Sequence, residues 1–483
     1  MSTKRKDANQ LNMHLAETTS SLKNRLQGGE FVVQFETPLP LSQEPFDSAV
    51  ENGRNLMKAS KADDLVSGVV ITDRTRGEEC HDIVEVAEAL MDAADAPLVL
   101  TFAGKNRSGQ AFRELLARAE SAGISGILSV TGDRSAEHPH GDQPGKRRTK
   151  ARPDYLDSAE MIHRIHHSGA NVLIGGTVNP FKYTVSDQYL QYYKALRKIN
   201  SGSDYLVTHI GWDMSKLQAL QWYLQMREFS IPVLARIALL SMEEINQIHE
   251  DYLPGTPVPK NFAAMLQREA SLGYNQSLSA QLHRIGLQAA GCKLMGYSGV
   301  QIRGVSGQET ANMVINRIRE ALNTYSSYPA WLEAWKEHHT DLRFSPLLNG
   351  FYTFRNLLNT DHPMYEPDKC PLTEESFPQP SGKDRMHAGL YRFLNEPPLL
   401  SSLTQRIQRL LCPGCDNKDS CRPEYCEYLC PAECPKQLMY GPCGNSSPDG
   451  TCEFGGAPCF FHRVLALAAA GKKLDTLESG IAS

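Results

Sequence analysis

Eight short apolar runs punctuate residues 31–304, and each is followed by a segment with helical spacing. The runs are FVVQFE (31–36), SGVVIT (67–72), PLVLTF (97–102), GILSVTG (126–132), NVLIGGTV (171–178), YLVTHI (205–210), PVLARI (232–237) and GVQIRG (299–304). Val, Ile and Leu crowd them without strict alternation, as in strands covered on both faces. Between them DIVEVAEALMDAA, AFRELLARAESAG and DQYLQYYKALRKI set apolar residues at helical intervals. Strand and helix alternating in this way predict an α/β chain, a (β/α)8 TIM barrel. The rival is an open doubly wound sheet, whose usual GxGxxG turn after the first strand is absent.

Outside this rhythm the chain divides by composition. Residues 1–20 are polar and are expected to be flexible, and SSLKNRLQGG (20–29) predicts a short helix stopped by Gly28 and Gly29. The barrel is assigned to 21–335. Proline-rich, irregular sequence at 336–400 suggests a connector wrapped on the surface, and 401–483 form a cysteine-rich unit. A polar insertion at 136–153 ends in the basic run Lys146, Arg147, Arg148, Lys150 and Arg152. It is read either as a solvated loop or as an attractor for a substrate with an acidic tail.

Composition narrows the class. With 483 residues, 41% of them hydrophobic and 22% charged, the chain has enough apolar material for a sizeable core. A net charge of −5 gives no footprint for nucleic acid. No apolar run is long enough to span a membrane, and the basic N-terminus has no apolar stretch behind it, so a cytoplasmic protein is expected. Nine of the twelve cysteines fall between Cys412 and Cys459. Such crowding favours metal over disulfides.

Catalytic groups in such barrels sit at the C-terminal strand ends, which selects Glu36, Thr72, Asp133, Asn179 and His209. Glu36 ends an otherwise apolar run. There it is either one half of a structural salt bridge or a carboxyl with a raised pKa serving as a general acid. Arg197 and Lys198, taken alone, look like a solvated helix face.

The strings LKNRLQGGEFVVQFETPLP, VVITDRT, LVLTFAGKNR, GILSVTGDR, TVNPF and LRKINSGSDYLVTH resemble, in order, the strand-end motifs of the methylenetetrahydrofolate reductase family. The resemblance implies a barrel binding FAD, or FMN in some members, at its C-terminal face. It implies hydride transfer from reduced flavin to 5,10-methylenetetrahydrofolate, giving 5-methyltetrahydrofolate. By this resemblance Glu36 protonates N10 of the folate, and Asp133 stands near the flavin pyrimidine edge and the pterin. Thr72 and Arg107 contact the flavin, and Arg197 and Lys198 lie near its phosphates. Asn179, in Asn179-Pro180, takes the place of an aromatic used by some members. His209 stands where well-known members have a pterin-reading glutamine. The electron donor implied is NADH or a donor protein, and a homo-oligomer is expected.

The tail has the spacing C-x2-C-x5-C-x4-C-x3-C-x3-C-x8-C-x8-C-x6-C, which suits sites of four thiolates holding zinc or an iron–sulfur cluster. Its CPAECPK, GPCG, GTCEF and CFFH elements resemble the C-terminal domain found beside or fused to certain methylenetetrahydrofolate reductases. The ligand set this implies is Cys412, Cys415, Cys421, Cys430, Cys434, Cys443, Cys452 and Cys459, holding [4Fe-4S] clusters or zinc. Two other classes stay open: a folate-binding methyl-transfer protein without flavin, and a zinc-stabilised scaffold.

Overall fold

The computed structural model describes residues 22–73, 79–134, 155–249, 252, 255–340, 342–359, 362–365, 377–395 and 421–482. Eight parallel strands close into one barrel in chain order. They are β1 (Val32–Pro38), β2 (Val66–Thr72), β3 (Leu98–Ala103), β4 (Gly126–Val130), β5 (Leu173–Val178), β6 (Tyr205–Thr208), β7 (Val233–Ala238) and β8 (Gly299–Arg303). All eight predicted runs are strands, and the (β/α)8 TIM barrel is the observed fold. β1 and β8 close the ring with Val32 opposite Gly299 and Glu36 opposite Arg303.

Local chemistry starts the surrounding helices. Asp82, Ser108, Asp157, Thr184 and Asp213 each accept a backbone N–H at the first turn of the helix that follows, which satisfies donors the helix cannot pair itself. Ser241 and Glu244 form a reciprocal capping box at the helix after β7. Inside the barrel Val32, Val70, Val99, Leu128, Leu173, Tyr205, Val207 and Leu234 pack into one apolar cluster. Leu22 and Leu26, on the short helix ahead of β1, join that cluster.

Helix Val185–Asn200 is buried along most of its length, polar residues included. The cause is the C-terminal segment, whose helix Phe460–Ala470 and turn Leu474–Leu477 pack on it. Arg197 is only 2% exposed: it donates to the carbonyls of Thr476 and Ser479 and its guanidinium stacks over Tyr425. The solvated helix face that Arg197 and Lys198 suggest when taken alone is therefore corrected: the tail covers Arg197, and Lys198 turns to the Thr177 carbonyl.

The stretch expected to be irregular also contains order. Gly382–Asn395 is a helix, started by the Ser381 hydroxyl, which accepts the Asp384 N–H and donates to its carboxylate. Asp384 then pairs with Arg463 of the tail helix. The basic run at 146–152 lies outside the described residues. Among the described residues no helix is long and apolar enough to cross a membrane.

Candidate functional site

A cavity of about 710 Å³ opens at the C-terminal ends of the strands. Every strand contributes to it, from Glu36 on β1 and Thr72 on β2 round to Arg236 on β7 and Gln301 on β8. Inward positions recur at every second residue of a strand, so a polar side chain near a strand end is aimed at the mouth.

Glu36 is the most constrained group there. Arg236 grips it with both arms, Nε to Oε2 at 2.6 Å and Nη2 to Oε1 at 2.5 Å, and Gln301 adds a bond of 2.8 Å. Burial pushes the Glu36 pKa up, but the charge and hydrogen bonds of Arg236, helped by Arg303 and Gln301, leave it below its ordinary value. In this site Glu36 is an ionised carboxylate. The raised pKa open from its sequence position is not what the structure shows, because a cation reaches it from β7, the next strand but one around the ring.

Three further groups face the same space. His209 touches the Thr256 hydroxyl through Nδ1 at 2.7 Å, and burial, reinforced by the Arg236 charge, pulls its pKa down to about 3. It is a neutral imidazole, with one ring nitrogen able to donate and the other to accept. Asp133 pairs with Lys105 at 3.4 Å, and its carbonyl accepts the Tyr155 hydroxyl. Lys198 reaches the Thr177 carbonyl at 2.5 Å; burial, with the neighbouring Lys194 charge, brings its pKa down to about 7.

The last wall comes from far along the chain. Pro442, Cys443, Gly444 and Asn445 line the cavity together with the strand ends. Asn179 donates to the carbonyls of Gly255 and Gly444, at 2.8 and 2.9 Å. Lys436 of the tail donates to the Gly132 carbonyl, next to Asp133, and forms an ion pair with Glu453.

Comparison with known proteins places this architecture. The family described as Methylenetetrahydrofolate reductase matches residues 21–272, and the one described as Methylene-tetrahydrofolate reductase C terminal matches 399–483. The chain belongs to the methylenetetrahydrofolate reductase family. No curated protein matches it in sequence. Among solved structures, an uncharacterized protein from Clostridium thermocellum, described as binding two copies of 5-methyl-5,6,7,8-tetrahydrofolic acid, shares 14% identity. The alignment has a TM-score of 0.46 and covers 63% of this chain and 99% of that one. A protein from Aquifex aeolicus VF5 shares 10% identity with a TM-score of 0.34, covering 64% and 98%.

Of the site residues expected from the methylenetetrahydrofolate reductase resemblance, the barrel gathers Glu36, Thr72, Asp133, Asn179, Lys198 and His209 around one cavity. Arg107 is not on its wall. It holds Asp73, which is, through a bond of 2.9 Å. The basic pair is split: Lys198 faces in, while Arg197 binds the tail. Sequence reading missed Arg236, Lys194, Gln301, Arg303 and the wall at 442–445. The available signal was a charge inside an apolar run, as in PVLARI and GVQIRG.

The cavity is of ligand-binding size, and its wall offers polar groups that have no partner among the described residues. The buried Thr101 Oγ1 and Gln301 Oε1 lack a hydrogen-bond partner among the described residues, and both residues line the wall. Metal in the tail fits less directly. Cys421, Cys430, Cys434, Cys443, Cys452 and Cys459 form no disulfide among the described residues, and Cys412 and Cys415 lie outside them. Among the described residues no three His, Cys, Asp or Glu side chains converge to hold a metal ion.

Proposed function

We propose that the chain reduces 5,10-methylenetetrahydrofolate to 5-methyltetrahydrofolate with a bound flavin, FAD in preference to FMN. The observation that carries this reading is one cavity that joins a clamped carboxylate, a second carboxylate, a neutral imidazole and buried amines at the mouth of a family barrel. The flavin, when bound, supplies the hydride. Thr72, Asp133, Lys194 and Lys198 are the residues to hold it, the two amines serving its phosphates.

Glu36 acts by giving a proton to N10 and then, left as a carboxylate, by charge. As a carboxylate it favours the cationic iminium formed when the five-membered folate ring opens, and Asp133 adds to that field. Giving a proton to N10 requires Arg236 to slacken as the substrate enters. Burial then dominates, and the Glu36 pKa rises toward the range of a general acid. His209 offers the pterin edge a single ring nitrogen, Nε2, because Thr256 holds Nδ1 and fixes the ring. Electrons reach the flavin from NADH or a donor protein, and no step is assigned to a metal.

The test is the visible spectrum of protein purified without oxygen. The two-banded yellow absorbance of oxidised flavin, appearing on exposure to air, supports the reading. A colourless protein that still binds folate favours methyl transfer without flavin.

A further inference from the structure

The mouth of the barrel is not completed by the barrel alone. The segment Gly441–Ser446 crosses it, and three barrel side chains hold three of its carbonyls. Lys194 Nζ donates to Gly441 O at 3.0 Å, Asn179 Nδ2 to Gly444 O at 2.9 Å, and Lys182 Nζ to Ser446 O at 2.7 Å. The Ser446 hydroxyl adds a bond of 2.8 Å to Asp187, which also takes His462 at 3.0 Å. Lys182 is 2% exposed, and among the described residues its ammonium donates to two backbone carbonyls, those of Ser446 and Gly255. Burying an ammonium group costs free energy unless its hydrogen bonds are met, so this lysine is spent on holding two loops together.

The two loops also interlock sterically. Gly255 and Gly444 have φ of +75° and +93°, the left-handed region that favours glycine. A methyl group on Gly255 would stand 2.4 Å from the Gly444 carbonyl oxygen, and one on Gly444 would stand 3.2 Å from Gln191 Oε1. The segment meets the cavity at the end that holds the cations. Lys194 touches both the strap and the cavity, and Lys198 lines the cavity on the same helix.

We infer that Gly441–Ser446 is a ligand-binding wall supplied by the cysteine-rich segment, and that it clamps the phosphate-bearing end of FAD against Lys194 and Lys198. The C-terminal segment thereby sets the flavin affinity of the barrel. Lys194 is also paired with buried Asp157 at 3.0 Å, so the clamp acts mainly by excluding water from Lys198, which strengthens its attraction for an anion, and by adding contact area along the dinucleotide. The inference rests on the flavin reading and adds to it a binding element outside the barrel.

The test is a fluorescence-quenching titration of the full chain with FAD and, separately, with riboflavin, which lacks the phosphates. Lys182→Met removes the strap's buried anchor, and Gly444→Ala displaces the strap without removing a charge. Lys182 and Gly444 are far enough apart in role that Gly444→Ala carries the test if Lys182→Met does not fold, as judged by circular dichroism. Loss of a charge-assisted anchor should raise the Kd for FAD by about tenfold or more, and that for riboflavin by less than about twofold. An FAD Kd unchanged in the folded variants overturns the clamp. Equal losses for both flavins overturn its assignment to the phosphate end. A wild-type chain that binds neither flavin overturns the flavin reading, and the clamp with it.

Discussion

Replacing Arg236 by Gln tests whether one cation keeps Glu36 ionised. The pair is bidentate at 2.5 and 2.6 Å, with Glu36 4% exposed, so removing the cation strands a buried carboxylate. An uncompensated buried charge of this kind costs roughly 3–5 kcal/mol. Protonation offers a way out and sets a ceiling. Keeping a carboxyl neutral at pH 7 against an ordinary value of 4.5 costs about 3.4 kcal/mol, at about 1.36 kcal/mol per unit. The sign follows from the direction of each pKa. In the wild type the folded-state value is depressed, so the contribution of Glu36 is present above pH 4.5 and is lost as pH falls below it. In Arg236→Gln burial, the largest influence, is opposed only by Arg303 and Gln301 and the value is raised, so stability is lost as pH climbs above about 4.5. Urea unfolding of both proteins at intervals from about pH 4.5 to 7.5 should show a gap that widens by about 1.4 kcal/mol per pH unit. A gap that stays constant across this range would refute the claim that Arg236 governs Glu36.

Other outcomes can be checked in parallel. Glu36→Gln should keep flavin binding and reduction by donor while lowering methylenetetrahydrofolate turnover by about 10²–10⁴-fold; unchanged turnover removes Glu36 from proton transfer. Lys198 titrates at about 7 in the free site, and an anion beside it pulls that value back up. Flavin binding therefore takes up a proton, so FAD affinity should fall above about pH 7, by up to about tenfold per unit. Lys198→Met should flatten this profile, and an FAD affinity independent of pH in the wild type would contradict the role. The tail thiols should hold metal: iron and sulfide in near-equal amounts identify a cluster, stoichiometric zinc without sulfide identifies a structural knuckle, and neither refutes a metal site.

The barrel was legible because strands buried on both faces have to be apolar throughout, and each such run breaks where its end meets the mouth. Glu36, Thr72, Asp133, Asn179 and His209 stand at those breaks, and all five line the cavity. The partner of Glu36 was not legible. Arg236 lies 200 residues away and meets it over β8, where the barrel closes, a contact that no local pattern encodes. Arg197 and Lys198 illustrate a rule that sequence reading passed over. Neighbours on a helix point in different directions, so a basic pair there cannot serve one phosphate site with both members. The strap at 441–446 was read as a cysteine motif because its thiol is visible in sequence. Its carbonyls, which make the contacts to Lys194, Asn179 and Lys182, are common to every residue and carry no signal.

Flavin-dependent folate reduction is most directly tested by a single half-reaction. The purified protein is loaded with FAD, reduced by titration without oxygen, and mixed with 5,10-methylenetetrahydrofolate in a stopped-flow spectrometer. The account predicts return of the oxidised flavin bands together with one equivalent of 5-methyltetrahydrofolate per flavin. Reduced flavin that persists in the presence of the folate, with no 5-methyltetrahydrofolate formed, would contradict it.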